Sequence, residues 1–588
     1  MRPIDRRQVL ALSGGLAATA TLPACIYDSK ELEASEPAVL KIVDAHAHIF
    51  NASDLPSIRF LKIVFLERYP ELIPQAVDLE DPDIVDGLIW LLTFVLGRAS
   101  APSASEEIDV LEARAAALAA HRDTVVNDEL IVDAIAASLT PQPLPSALDD
   151  LSPDAPLIAN ALVFQAAGLP VAPAGDDERS IEQNQAIAAL AYRSETKIGR
   201  TLRWFRLFTR YRYVLVDQLS EDHRKQRFES IMVCPALIDY DFWLGEHVTK
   251  STLEDQVLVM GHVARRQDGP AVHGYVAYDP LRRALYKSGY FEAENLPNAF
   301  DPLELVSTAL NDHGFAGVKL YPPMGFRPFA NTEEPVPDYQ VTVLERFAKL
   351  RPPSGPGSCD TSPMGHKNCT AYLLDEAMSD LFELCIDLDV PILSHATNSN
   401  SAAKGTGDRG DPYYWARALE KFPKLRVLLG HFGRFNEQDR SAGAPGNVDY
   451  PEATWEWTIG RFIRAHPDAQ LYADISFLSE IGFVPRGSQK VLADCMRRWC
   501  VEFDPECHHL VFGTDWTMLG RIPAYDGYTS RIYDFFESEV GFSKDQLERL
   551  FRENAIRFLG LDQRGATRSR LLKFYERYGL GPRKLPYI

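Results

Sequence analysis

Apolar and polar positions alternate along residues 42–50, "IVDAHAHIF", which puts Val43, Ala45 and Ala47 on one side and Asp44, His46 and His48 on the other. A period of two predicts a strand, and its polar side brings two imidazoles towards one spot. Seven further short β-rich apolar runs follow. They are "SIMVCPALID" from 230, "AVHGYVAYDP" from 271, "GFAGVKLYPP" from 314, "VPILSHAT" from 390, "LRVLLGHFG" from 425, "AQLYADISF" from 469 and "HLVFGTDW" from 509. Helix-like stretches separate them, and buried strands alternating with helices predict parallel βα units. Eight such units predict an α/β fold of the TIM-type (β/α)8 barrel kind, with a doubly wound sheet as the structural alternative.

Between the first and second runs, about residues 51–225, the period is helical and no series of strands appears, so a large, mainly helical insertion is expected after strand 1. Its most apolar stretch, "IVDGLIWLLTFVLG" at 84–97, is short for a bilayer span and contains Asp86, so it reads as a buried helix. The prolines and acids of "LTPQPLPSALDDLSPDAP" at 139–156 mark a loop inside the insertion. The barrel body is expected over 41–562 and a helical tail over 563–588.

The polar residues of the runs sit late in each one: His48 in the first, Lys319 in the fourth, His395 in the fifth, His431 in the sixth and Asp515 in the eighth. Active sites of such barrels form at the C-terminal strand ends, so one mouth could gather them all. A lone His-x-His also fits a strand with a wet face; the later runs decide between the two readings.

With those residues in place, the sequence resembles the amidohydrolase superfamily, in the amidohydrolase-related branch of metal-dependent hydrolases and decarboxylases. The resemblance is carried by Asp44, His46 and His48 in "DAHAH", Lys319 in "GVKLYPPMGF", His395 in "ILSHAT", His431 in "LLGHFG" and Asp515 in "GTDW", with Asn554 in the ending "ENAIRFLGL". It implies that His46, His48, His395 and Asp515 hold one divalent metal ion, most often zinc, a donor set that suits a borderline ion. It also implies that Asp515 shuttles a proton and that His431 orients or activates water or binds a second metal. Lys319 is expected to polarise or bind substrate, a second metal being expected only if Lys319 is carbamylated. Arg434 is a candidate for holding a substrate carboxylate through its fork, or a surface ion-pair partner. Tyr321 and Trp516 are candidate aromatic walls, or simply core.

Composition changes the picture in two places. A formal net charge of −21 over 588 residues disfavours nucleic acid and points to a small-molecule substrate. The start, "MRPIDRRQVLALSGGLAATATLPAC", has the basic, apolar and small-residue order of an export signal over 1–25, with Arg6-Arg7 of twin-arginine type and a lipobox-like end at Cys25. A tether over 26–40 follows. An exported bacterial enzyme of the periplasm or cell envelope is therefore expected, with a lipid anchor at Cys25 and homo-oligomerisation left open. The eight cysteines fit buried thiols or one bridge, Cys359 with Cys369, better than a zinc site.

Three functions are compatible with these residues. The first is hydrolysis of an amide, ester or lactone by a metal-activated water. The second is metal-dependent nonoxidative decarboxylation with the same ligands, and the third is a barrel lipoprotein that binds a small ligand without turnover.

Overall fold

The computed structural model describes residues 39–55, 101–119, 200, 203–204, 206–245, 250–296, 299–348, 362–397, 402–403, 405–433, 454–478, 481, 486–520, 522, 525–581 and 585–587. The signal, nearly all of the tether, the 84–97 and 139–156 stretches, Cys359 and Arg434 lie outside them.

Nine strands are described: β1 (Leu40–Ala47), β2 (Phe228–Pro235), β3 (Ala271–Val272), β4 (Tyr275–Ala277), β5 (Gly317–Leu320), β6 (Pro391–His395), β7 (Arg426–Gly430), β8 (Gln470–Asp474) and β9 (Leu510–Val511). They pair in chain order as β1-β2-β3 and β4-β5-β6-β7-β8-β9, and every pairing is parallel. The expected third strand is thus two short pieces parted by His273 and Gly274, which leaves eight strand positions. Two seams join the sheets. At one, Leu237 N donates to Tyr275 O at 3.0 Å. At the other, Ala45 N donates to Phe512 O at 3.1 Å and Asp515 N to His46 O at 2.7 Å. Each seam has a glycine that no other residue could replace without displacing backbone. A Cβ at Gly274 would lie 2.1 Å from Pro235 O, and one at Gly513 would lie 2.8 Å from His46 Cβ.

Parallel neighbours require crossovers, and helices supply them. The insertion contributes α1 (Ala104–Ala119) and α2 (Arg212–Lys225) among its described residues. Crossover helices are α3 (Leu253–Ala264), α4 (Pro280–Lys287), α5 (Pro302–Asp312), α6 (Pro363–Asp387), α7 (Pro412–Lys421), α8 (Trp455–Ala465) and α9 (Arg486–Phe503). Four begin on the same device: Asp279, Asp301, Ser362 and Asp411 each precede a proline and accept a backbone N–H of the first turn. Such caps contribute about 1 kcal/mol each, and proline at the first helical position loses no hydrogen bond. Short α10 (Asn554–Leu559) and α11 (Ala566–Arg577) close the chain.

Two apolar clusters follow from the strand alternation. One joins Val43, Met232, Tyr275, Leu393, Leu428, Tyr472 and Val511, from strands that are not all neighbours, with Ile556 and Phe558 of α10. Residues so far apart in the sheets meet only inside the ring, so this cluster is the barrel interior and α10 plugs it. The other holds the opposite faces, such as Val318, Ile392 and Val427, against the helices. No described helix is long and apolar enough to cross a membrane.

Candidate metal centre

β1 does not run evenly to the end of the histidine motif. Its register against β2 is irregular between Asp44 and Ala47, and the strand ends before His48. The strict alternation expected for 42–50 therefore breaks where the chemistry begins. Asp44 is held by Thr514, whose N–H and Oγ1–H donate at 3.0 and 2.6 Å, and burial pushes its carboxyl up to about 7. The His46 ring lies against Gly430, where a Cβ would come within 3.1 Å of Cε1.

Hydrogen bonds to groups that can only accept fix the tautomers. His48 Nδ1 faces Ala236 O at 3.0 Å and must carry the proton, which leaves Nε2 with its lone pair. His46 Nδ1 faces Asp474 Oδ2 at 2.9 Å, with the same consequence. His431 Nδ1 faces Ser476 O at 3.2 Å and donates, so its Nε2 accepts from His395 Nδ1 at 3.1 Å. The last link leaves His395 Nε2 bearing a lone pair, buried and without a hydrogen-bond partner. Burial also lowers all four histidines well below their ordinary range, as a metal-binding imidazole requires.

Asp515 sits at the N-terminal cap position of the short helix Trp516–Leu519, yet its side chain makes no capping bond. The carboxylate instead faces His48 Nε2 at 3.2 Å and His46 Nε2 at 3.9 Å. Its φ of 56° and the 68° of His431 are left-handed, a conformation that costs a non-glycine residue about 1–2 kcal/mol. Strain of this kind collects at functional sites.

Ligand atoms of His46, His48 and Asp515 lie within 4.8 Å of one another, and so do those of His46, His431 and Asp474. The first group fits a divalent ion: two neutral nitrogens and a carboxylate. His395, expected as the fourth ligand, is not within that group, and its buried Nε2 makes no hydrogen bond. The second group is the orienting network. Asp474 takes the proton of His46 Nδ1 through one oxygen and the Ser476 and His431 backbone N–H groups through the other, at 3.0 and 2.9 Å. Asp474 and Ser476 were not singled out in the sequence. The readable signal was an acid inside the apolar run "AQLYADISF" at the level of the other ligands.

Lys319 is buried, its Nζ donating to His46 Nε2 at 3.1 Å. Burial lowers its ammonium to about 8 against the pull of Asp515 and Asp474. Lys319 and Tyr321 also line a pocket with Ile238, Trp243 and Met324. Tyr321 stands with its ring 4.5 Å from that of His395. Trp516 is elsewhere: it is buried in the helix-side core, and its indole N–H donates to Asp222 Oδ2 of α2 at 3.3 Å. Cys495, Cys500 and Cys507 are buried thiols, and Cys369, a candidate for the one bridge, is disulfide-bonded.

Residues 366–561 match the family model described as amidohydrolase. The matched segment contains His395, His431, Asp474 and Asp515, while His46, His48 and Lys319 lie outside it. No protein of curated function matches the chain. Solved structures similar to it include an amidohydrolase from Burkholderia multivorans, with 13% identity over 58% of this chain and 87% of that one at a TM-score of 0.33. A putative 2-pyrone-4,6-dicarboxylic acid hydrolase from Pseudomonas putida shares 13% over 59% and 87%, at 0.30. A 5-carboxyvanillate decarboxylase from Sphingomonas paucimobilis shares 10% over 58% and 81%, at 0.32.

Proposed function

We propose that the protein is an exported, metal-dependent hydrolase of small molecules that opens an amide, ester or lactone bond. One divalent ion, zinc by the chemistry of the donors, would be held by His46, His48, His395 and Asp515. The observation that carries this reading is the proton chain Ser476–His431–His395, which leaves His395 Nε2 a buried lone pair with nothing to accept. A bound ion would supply Lewis acidity and bring water close to its ionised form at neutral pH.

The chain's own groups then divide the remaining work. Asp515, beside two imidazoles and not capping its helix, is placed to take a proton and return it to the leaving group. Asp474 and Ser476 hold His46 and His431 in orientation. Lys319 offers a cation to an anionic or carbonyl oxygen of substrate entering beside Tyr321, and Arg434 is a candidate for a substrate carboxylate.

Turnover in 18O-labelled water across a panel of esters, lactones and amides tests the reading. Label entering the acid product supports hydrolysis. Carbon dioxide release without label would establish the decarboxylase instead, and tight binding without turnover would establish a binding protein.

A further inference from the structure

We infer that the last part of the insertion, from Trp204 to Asp222, is a brace that fixes the two strand ends bearing His48 and Asp515. Its seating and occupancy of the metal centre are thereby coupled. The inference rests on the metal reading above and assigns the insertion a task beyond covering the barrel.

The grip on the β1 side is built around one cation. Arg212 is buried and donates through Nε to Asp54 Oδ2 at 3.0 Å, through one terminal nitrogen to Glu107 Oε2 at 2.8 Å, and through the other to Ser53 Oγ at 3.1 Å. Glu107, on α1, accepts Tyr213 N with its second oxygen at 2.8 Å. Asn51 to Asp54 is thus a turn, three residues past His48, clamped between both described helices of the insertion. Nearer the ligand, Ala52 N donates to Phe208 O at 2.8 Å, and the Phe50 ring lies 5.2 Å from that of Phe208 and 6.0 Å from that of His48.

The grip on the other side ends one and two residues past Asp515. Trp204 Nε1 donates to Thr517 O, and Trp516 Nε1 donates to Asp222. A Cβ on Gly520 would lie 2.8 Å from the Trp204 ring, so the indole is seated against backbone. Thr517 Oγ1 in turn donates to the carbonyl of His48, which ties the two gripped ends to each other. One segment therefore holds both ligand-bearing ends through polar contacts of fixed direction. If bound metal and seated segment each favour the same placement of these ends, each strengthens the other by an equal factor. Arg212, Trp204 and Asp222 are positioning residues in this account.

The test uses the full chain and the metal alone. Zinc affinity is measured by competition with a chromogenic chelator for the wild type, Trp516→Phe, Asp222→Ala and Arg212→Met. Tyr575→Phe, which loses a buried hydrogen bond to His273 at a different place in the fold, serves as the control. Hydrogen exchange over 206–225 is followed with and without zinc. The brace predicts affinities weakened by about 10- to 100-fold in the first three variants. It also predicts an unchanged affinity in Tyr575→Phe and slower exchange over 206–225 when zinc is bound. Trp516→Phe keeps an aromatic ring in place and carries the test if Arg212→Met does not fold. Wild-type affinity in the folded variants, with exchange indifferent to zinc, would overturn the brace while leaving the metal reading intact. Absence of zinc binding by the wild type would overturn the metal reading itself.

Discussion

Two buried histidines, His273 and His395, sit in strand-level positions of the same barrel and have opposite hydrogen-bond accounts. His273 lies between β3 and β4, with Nδ1 donating to Gly314 O and Nε2 accepting from Tyr575 OH, both at 2.6 Å. His395 ends β6 with Nδ1 bonded to His431 and Nε2 bonded to nothing, though buried. The first is complete: its ring joins β3 to the C-terminal helix α11. The second has a buried lone pair without a hydrogen-bond partner, a state that costs about 1–3 kcal/mol unless a ligand completes it. Burial alone does not mark a metal ligand. An unspent nitrogen alone does not mark one either, since His223 Nε2 is also buried without a hydrogen-bond partner; what sets His395 apart is the chain of fixed tautomers through His431, itself in hydrogen-bond reach of Ser476 beside Asp474.

The comparison breaks most severely if a ligand is removed. Asp515→Asn keeps the size and the cap position but loses the anionic donor, and zinc affinity should fall by at least about 100-fold, more than for any orienting residue. Equal affinity would show that Asp515 serves only its helix. Asp474→Asn removes the carboxylate behind His46, and a fall of about 10- to 100-fold is expected, with the protein still folded by circular dichroism.

On the other side of the comparison, Tyr575→Phe leaves His273 Nε2 unsatisfied. Unfolding in urea should show a loss of about 1–3 kcal/mol, with zinc affinity unchanged. The smallest effect concerns Asp222, whose carboxyl burial raises to about 6, with Asp526 and Glu221 adding and Lys225 and the Trp516 N–H opposing. A group whose pKa rises on folding keeps its proton longer in the folded state, so its contribution to stability is lost as pH climbs from about 4 to about 6. Melting temperatures of Asp222→Asn should therefore fall less than those of the wild type across that window, and parallel profiles would contradict this sign.

Much of this architecture was legible because its period is regular. Eight apolar runs with helical stretches between them led to the α/β barrel, and the late polar residues of those runs led to His46, His48, Lys319, His395, His431 and Asp515. What escaped depends on chain crossings that no period reveals. The alternation over 42–50 could not disclose the irregular register between Asp44 and Ala47. The run from 271 reads as one strand, yet backbone crowding at Gly274 against Pro235 splits it. Asp474 was not singled out because only the folded β8 brings it to His46, 428 positions away. Trp516 beside a ligand read as a substrate wall or as core; it is core, its N–H donating to Asp222 of α2, an element whose docking no local pattern encodes.

The central claim is one ion held by three imidazole Nε2 atoms and Asp515, and metal content per chain tests it most directly. Mass spectrometry of the full chain, purified without chelator and beside its His395→Ala variant, should find about one zinc-like ion per chain and its loss in the variant. About two ions per chain would contradict the account and point to a carbamylated Lys319 bridging them. No ion, even after reconstitution, would contradict it altogether.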